Sequence, residues 1–390
     1  MTTVELATTF YDDAPVAENR TAAMEYLRGP GEVYKAGDMW YITSYEEVRF
    51  AQKHPELFSS AKAFDSISAV VTMVPIAIDP PAHSHYRRVL DPLFGPKRID
   101  RIEPSLRAQV RAHIDGFADK GACDVVSELA VKFPTQAILT LLGLPLEDLP
   151  QFLDWVGGLI KVESINMLAN EPTERQLACS IALFEYLQKH VALKRETPGD
   201  DILSDILAIS GDDAWSEAEL LGMCFLLMLA GLDTVTGSIG FCMLELAKDV
   251  ALRQRLLDDP GLIGPFVEEA LRLDGPVPVV PRVTTTDVEL AGTVIPAGSH
   301  VALVLGTANR EGPHSASPHT IELGARVTHL GFGGGIHRCL GSHLARRELR
   351  LTIEEFHARI PDYTLAGPPT VMWPSGTIHL SSLPLTFPVG

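Results

Sequence analysis

The chain has 390 residues, 46% hydrophobic and 21% charged, an ordinary globular composition. A formal net charge of −18 makes the chain as a whole a poor partner for nucleic acid. The five cysteines are odd in number and widely scattered, which reads as free thiols in a reducing compartment and not as a disulfide framework.

The first twenty residues lack the charged-then-apolar pattern of a secretory leader. The longest apolar run, Leu220 to Leu232, falls short of the roughly 20 residues a spanning helix needs. A cytoplasmic protein without a membrane anchor is expected. Trp40 to Thr43 and then Tyr45 to His54 read as a short strand running into a helix. From Phe58 to Ile78 the chain is rich in Ser and Val and carries Ile67, Val70, Val71, Met73, Val74 and Ile76. That is too apolar for a solvated loop, so it covers a cavity or forms a buried strand near 69–74.

Asp79-Pro80-Pro81 opens a helix, with Asp79 as a cap. His83 and Arg87, four apart, share a face. Two donors there suit a pair of carboxylates, a solvated basic face being the alternative. Ile102, Leu106, Val110, Ile114 and Phe117 recur at helical spacing, and Lys97, Arg98, Arg101, Arg107 and Arg111 load the remaining surface with positive charge. Such a cluster is either a docking face for an acidic partner or a solvated face. Residues 122–210 read as helices punctuated by Pro134, Pro145, Pro150 and Pro172. Phe152 to Leu168 and the helix after Asn170-Glu171-Pro172 form either a lid or core packing.

Ser216 with Glu219 forms a capping box, and Trp215 with Leu220 a hydrophobic staple. The helix they start is apolar on all sides, as a buried central helix is. Within it lies Ala230-Gly231-Leu232-Asp233-Thr234. An acid and an alcohol in such a place are costly unless they have a task. Gly231 would thin the helix for a small ligand, and Thr234 can bond back to the carbonyl of residue 230. Internal bonding of both side chains is the plainer reading. Glu269 and Arg272 are spaced as an ion pair. Val277, Val279 and Val280 belong to an extended apolar segment that ends at Arg282. Val288 to Leu305 reads as a β-meander, and Thr377 to Phe387 as strand after a turn at 373–376.

Phe332-Gly333-Gly334-Gly335-Ile336-His337-Arg338-Cys339-Leu340-Gly341 places a cysteine in a glycine-rich bend ahead of a helix. A thiolate there gains from exposed N–H groups and the helix dipole. The glycines would let the backbone approach something flat and bulky, and Phe332 would shield the sulfur. Cys339 can be a buried structural cysteine, a nucleophile, a zinc ligand with His337 and His343, or an axial ligand to haem iron. Zinc lacks a fourth donor, and no Lys-Ser/Thr pair follows the glycines as in a phosphate cradle.

Taken together, these motifs resemble the soluble bacterial cytochromes P450, the haem-thiolate monooxygenases. The likeness runs over nearly the whole chain, in order. Phe332 to Gly341 matches the cysteine motif, Glu269 and Arg272 match Glu-x-x-Arg, and Ala230, Gly231, Asp233 and Thr234 match the oxygen-groove motif. Asp79 to Arg87 matches the Asp-Pro-Pro-x-His-x-x-x-Arg helix start. The resemblance implies a mainly α fold with small β-sheets, triangular, with a long central helix over the haem, as one domain spanning 1–390. It implies haem b ligated by Cys339, with His83, Arg87, Arg282 and His337 on the propionates and Phe332, Gly333, Gly341 and Ala230 around the ring. Asp233 and Thr234 become the acid–alcohol pair of oxygen activation. Glu269, Arg272 and Arg326 become a structural Glu-Arg-Arg cluster, although Glu311-Gly312-Pro313 departs from the family's Asp-Pro wording before it.

Pocket walls implied by the resemblance are Val70, Val71, Met73 and Val74, the Phe152 to Leu168 lid, Leu226, Ala230, Val277, Val279, Val280, Met372 and Trp373. They are apolar, so the expected substrate is a terpenoid, steroid, fatty acyl or aromatic molecule. The wording of Gly231 to Val235 is similar to camphor-type hydroxylases, which favours terpenoids. With O2 as co-substrate and no flavin or iron–sulfur motif, electrons are expected from a ferredoxin and its reductase. The ferredoxin would dock on Arg338, Arg346, Arg347 and the Lys97 to Arg111 cluster of a monomer. A peroxide-driven peroxygenase and a non-catalytic haem sensor are the alternatives.

Overall fold

The computed structural model describes residues 20–64, 72–160, 173–314, 316–324, 327–372 and 377–389. Ten helices carry the architecture: α1 (Arg20–Arg28), α2 (Tyr45–Lys53), α3 (Ala82–Leu93), α4 (Pro96–Ala118), α5 (Lys132–Leu142), α6 (Leu149–Ile160), α7 (Glu174–Glu196), α8 (Glu217–Lys248), α9 (Ile263–Leu273) and α10 (Ser342–Arg359). The main sheet takes β1 (Val33–Ala36), β2 (Met39–Ile42), β3 (Phe58–Ser59), β4 (Val279–Thr284) and β5 (His300–Val304), in the spatial order β1-β2-β5-β4-β3. β2 and β5 run parallel, and the other pairs are antiparallel. A C-terminal hairpin joins β6 (Thr370–Met372) to β7 (His379–Ser382). The mainly α fold with small sheets is thus as expected.

α8 is the axis of the molecule. Its start is the expected capping box: Ser216 accepts from the Glu219 N–H, and the Glu219 carboxylate accepts from the Ser216 N–H at 2.7 Å. At 32 residues it spans about 48 Å. The helix extends well past Leu220 to Leu232, so by length and composition it is long and apolar enough to cross a membrane. Two-thirds of its most apolar window is buried inside the protein, however, as a core helix requires. α5, α9, α10 and β7 pack around it. Most buried side chains form one helical core, and a second cluster, including Ile42, Val48, Phe58, Val301 and Leu303, lies on the main sheet.

The spacing of Leu106, Val110, Ile114 and Phe117 does produce the buried face of α4, with Ile102 at its partly exposed edge. Its basic side chains have a different fate from a free cationic face. Arg107 and Arg111 both engage Glu355 on α10, Arg98 reaches Asp200 at 3.2 Å, and Arg347 of α10 returns to Asp100 at 2.6 Å. The pairs to Glu355 and Asp100 cross-link α4 to α10, and together all of them neutralise much of the expected patch. Asp79 likewise serves elsewhere than on α3, whose first turn carries no side-chain cap. Its carboxylate accepts from Ser59 Oγ at 2.5 Å and from the N–H of Ser60 at 2.9 Å, closing the turn after β3.

Candidate active site

The cysteine bend is built by hydrogen bonds before any side chain matters. The Cys339 N–H donates to the Phe332 carbonyl at 2.8 Å and the Gly333 N–H to that of Leu330 at 2.7 Å. Gly333 and Gly335 adopt φ of +64° and +61°, which an L side chain rarely tolerates. A Cβ on Gly335 would also collide with the backbone carbonyl of Gln52 on α2, and one on Gly334 with the Gln52 side chain. Gly334 and Gly335 therefore admit a protein neighbour, whereas a Cβ on Gly333 would meet only the His337 carbonyl, at 3.9 Å. Phe332 lies under the Arg346 guanidinium, 4.3 Å from its ring centroid, and beside His329. Cys339 itself is accessible. Its surroundings push the thiol up by desolvation, while the Gly341 N–H and the charges of Arg87, Arg346 and Arg338 pull it down. The other four cysteines are buried and unpaired.

Four basic side chains distant in sequence converge beside this bend. His83 of α3 and His337 lie with ring centroids 4.4 Å apart, their planes tilted by 59°. Arg87 donates to the Arg338 carbonyl at 2.8 Å while holding Asp91. Arg282 of β4 makes no ion pair among the described residues and turns back to the Pro281 carbonyl at 2.6 Å. Burial drives the His337 imidazole down to about 3, assisted by Arg282, His83 and Arg87. Burial and Arg87 bring His83 to about 4. Desolvation also lowers Arg282, to about 10. The Nε2 atoms of both histidines are buried without a hydrogen-bond partner. Mutually repelling donors with unfilled bonding capacity fit a dianionic guest, and the two propionates of haem are such a guest. Among the described residues no three His, Cys, Asp or Glu side chains gather as metal ligands would, so zinc has no donor set.

On α8, Leu226, Leu229, Ala230, Asp233 and Thr234, with Gly231 among them, escape full burial in a helix that is otherwise buried from Leu220 to Leu244. Their spacing is that of one helix face. Thr234 donates to the Ala230 carbonyl at 2.7 Å, the back-bond expected. Gly231 does not open this face. A Cβ there would lie 2.7 Å from Ile138 Cδ1, so the glycine serves the approach of α5. Asp233 is engaged by Thr377 Oγ1, and its Oδ1 lies 3.1 Å from His379 Nδ1.

Glu269 and Arg272 pair at 2.8 Å in full burial. Arg272 also reaches the carbonyls of Asn309, Ser317, Pro318 and Thr320, and Glu269 accepts from the Glu322 N–H at 2.9 Å. The pair thereby fastens α9 to the chain entering the cysteine bend. Arg326 lies outside the described residues, as do Val70, Val71, Trp373 and the second half of the suggested lid. Met73 and Val74 are buried in the core, whereas Leu226, Val277, Val279 and Val280 are partly accessible. Met372 ends β6. Sequence reading missed Gln52, Asn309, Glu268, Thr377 and His379. The Asn309 side chain accepts from the Leu330 N–H at 2.6 Å, and Glu268 binds Arg346 and His329. Burial raises the Glu268 carboxyl, but those two partners bring it to about 2. Each contact joins segments far apart in sequence, and no local pattern announces it.

A family model described as Cytochrome P450 matches residues 262–357, which hold the Glu269–Arg272 pair and the cysteine bend. The vitamin D(3) 25-hydroxylase of Pseudonocardia autotrophica is 33% identical over 386 residues, 95% of this chain and 94% of that protein. The erythromycin C-12 hydroxylase of Saccharopolyspora erythraea is 32% identical, with 92% of each chain covered. Among solved structures, P450BioI in complex with an acyl carrier protein ligated to hexadec-9Z-enoic acid superposes with a TM-score of 0.88 at 27% identity, over 96% of this chain and 100% of that one. An accessible cysteine in a glycine bend, a converging basic quartet and hydroxylase relatives matching almost end to end lead to one assignment. The chain belongs to the cytochrome P450 family, the oxidoreductases that carry haem on a cysteine thiolate and act as monooxygenases.

Proposed function

We propose that residues 1–390 form one domain that hydroxylates a neutral apolar substrate with O2 and electrons from a ferredoxin. In this reading Cys339 is the proximal ligand, and His83, Arg87, Arg282 and His337 hold the propionates. Haem on a thiolate supplies an iron centre at which O2 is activated for insertion into a C–H bond. The chain's own residues then divide the remaining work. Desolvation raises the Cys339 thiol overall, and the Gly341 N–H and the charges of Arg87, Arg346 and Arg338 offset part of that rise on the side of the thiolate. Because the Thr234 hydroxyl proton is committed to the Ala230 carbonyl, its oxygen is left as an acceptor facing the accessible strip. Asp233, one residue away, is the acid that brings protons from outside.

The observation that carries the substrate reading is that strip. Leu226, Leu229 and Ala230 offer only hydrocarbon along α8 until Asp233 and Thr234, and Val277, Val279 and Val280 add more of the same. Nothing in this set would anchor a charged substrate. Relatives named for vitamin D(3) and erythromycin, and one bound to an acyl carrier protein, leave terpenoid, steroid and fatty acyl molecules within the class. The Asp233–Thr234 pair favours O2 over peroxide as oxidant, since peroxide brings its own protons. Buried free cysteines suit a reducing compartment such as the cytoplasm.

An electron donor is proposed to approach at α10, behind the cysteine bend. A surface cavity of about 190 Å³ lies there, lined by His343, Arg346, Arg347, Arg350 and Glu268 among others. The test of the whole reading is optical. Purified protein is first confirmed as thiolate-ligated by its carbon monoxide spectrum, then titrated in the ferric state with a panel of terpenoids, steroids and fatty acids. Displacement of water by a well-fitting apolar compound shifts the spin state. A shift produced only by charged compounds would overturn the substrate class.

A further inference from the structure

Asp233 sits in the middle of α8, yet its carboxylate is handled by the C-terminal strand. Thr377 Oγ1 donates to Oδ2, and His379 Nδ1 stands 3.1 Å from Oδ1. The Asp233 and His379 side chains are 12% and 13% exposed, so the pair is largely shielded from solvent. Nδ1 of His379 is buried and makes no hydrogen bond among the described residues, so its 3.1 Å approach to Asp233 Oδ1 is a close contact between a titratable ring and a carboxylate. Among the described residues Asp233 is the one acid paired with it.

The local fold is built to deliver these two side chains. Residues 377 and 379, two apart in extended chain, project to the same side. Their strand lies directly against α8 because residues 237 and 240, one and two turns beyond Asp233, are glycines. A Cβ on Gly237 would meet the Ile378 carbonyl at 2.8 Å and His379 Cβ at 3.2 Å, and one on Gly240 would touch Leu380. The Ile378 N–H donates to the Pro276 carbonyl at 2.7 Å, and β7 pairs with β6, with His379 opposite Met372. Backbone bonds on two sides thus hold the strand before either side chain makes its contact.

We infer that His379, with Thr377, is the positioning element for Asp233: the C-terminal strand, and not α8, sets where the acid rests and from where it swings to pass a proton. The inference rests on Asp233 being the acid of the site. His379 touches no reacting atom in this scheme and acts only through the carboxylate.

Two measurements test it in the haem-loaded enzyme, neither requiring the natural substrate. In thermal unfolding, Asp233→Asn and His379→Leu each lower Tm, and the double variant lies no lower than the worse single one, because both remove the same contact. Additive shifts would overturn the inference. In the second, a surrogate ferredoxin and reductase drive O2 consumption without substrate, and released hydrogen peroxide is compared with O2 used. Poor proton delivery leaves two-electron peroxide where four electrons and four protons would yield water. His379→Leu raises the peroxide fraction several-fold, by analogy with other misplaced catalytic groups. His379→Asn, which keeps an N–H donor near the Nδ1 position, returns most of the loss. If Asp233→Asn leaves the peroxide fraction at the wild-type value, the assignment of Asp233 falls and the positioning role with it. If Asp233→Asn raises it and His379→Leu does not, the positioning role alone falls.

Discussion

At the scale of single residues, Thr234 obeys a local rule and Gly335 does not. Thr234 bonds one turn back, as a threonine inside a helix often does. Replacing it with Ala removes the hydroxyl and leaves the helix intact. We expect Thr234→Ala to bind substrate as before but to release peroxide in place of much of the hydroxylated product, measured as product per electron pair consumed. Gly335 is constrained twice, by a φ of +61° and by the Gln52 carbonyl where a Cβ would stand. Gly335→Ala should cost about 2–4 kcal/mol, from positive φ and overpacking together, and lower Tm. Gly116, on α4 with nothing near its Cβ position, gives the opposite result. Gly116→Ala should add about 0.5–1 kcal/mol.

At the scale of elements, α10 carries more than the cysteine bend. Glu355 draws in Arg107 and Arg111 from α4, while His357, two residues on, is buried and meets Tyr363 Oη at 3.1 Å. Burial, assisted by the charge of Arg253, lowers the His357 imidazole to about 4. In the unfolded chain a histidine binds its proton near 6.5. Between these values the unfolded state holds more protons, so stability is complete above about pH 6.5 and declines as pH falls toward about 4. The loss assignable to this group is on the order of 3 kcal/mol. His357→Gln should therefore show a smaller drop in Tm between about pH 7 and about pH 4.5 than the wild type does. An unchanged drop would mean that His357 is protonated without strain in the fold.

At the scale of the whole molecule, a net charge of −18 has to coexist with the docking face proposed for an acidic electron carrier. Internal pairing consumes much of the positive charge of α4 and α10, so docking would rest on arginines that keep an exposed side. Arg111 is one, at 60% exposure despite its bond to Glu355, whereas Arg346 is tied to Glu268 and Phe332. Arg111→Glu should slow reduction by a ferredoxin and flatten its dependence on ionic strength, measured by stopped flow. Arg346→Glu would damage the cysteine bend as well and could not separate docking from folding.

What could be read without coordinates was whatever depends on neighbours in sequence. The start of α8 is one example, since Ser216 and Glu219 meet within one turn. The buried stripe of α4, the Glu269–Arg272 pair, the Thr234 back-bond and the cysteine motif are others, all spanning ten residues or fewer or repeating with the helical period. Only the tertiary structure decided which partner each polar group takes. It gave Asp79 to the turn after β3 and Arg111 to Glu355, Gly231 to Ile138 and Gly335 to Gln52, and Asp233 to His379. The physical reason is common to all of these. Helical and turn geometry fixes contacts within a few residues, whereas contacts between separate elements depend on how buried apolar faces stack, and side-chain chemistry alone does not select among the partners that stacking offers.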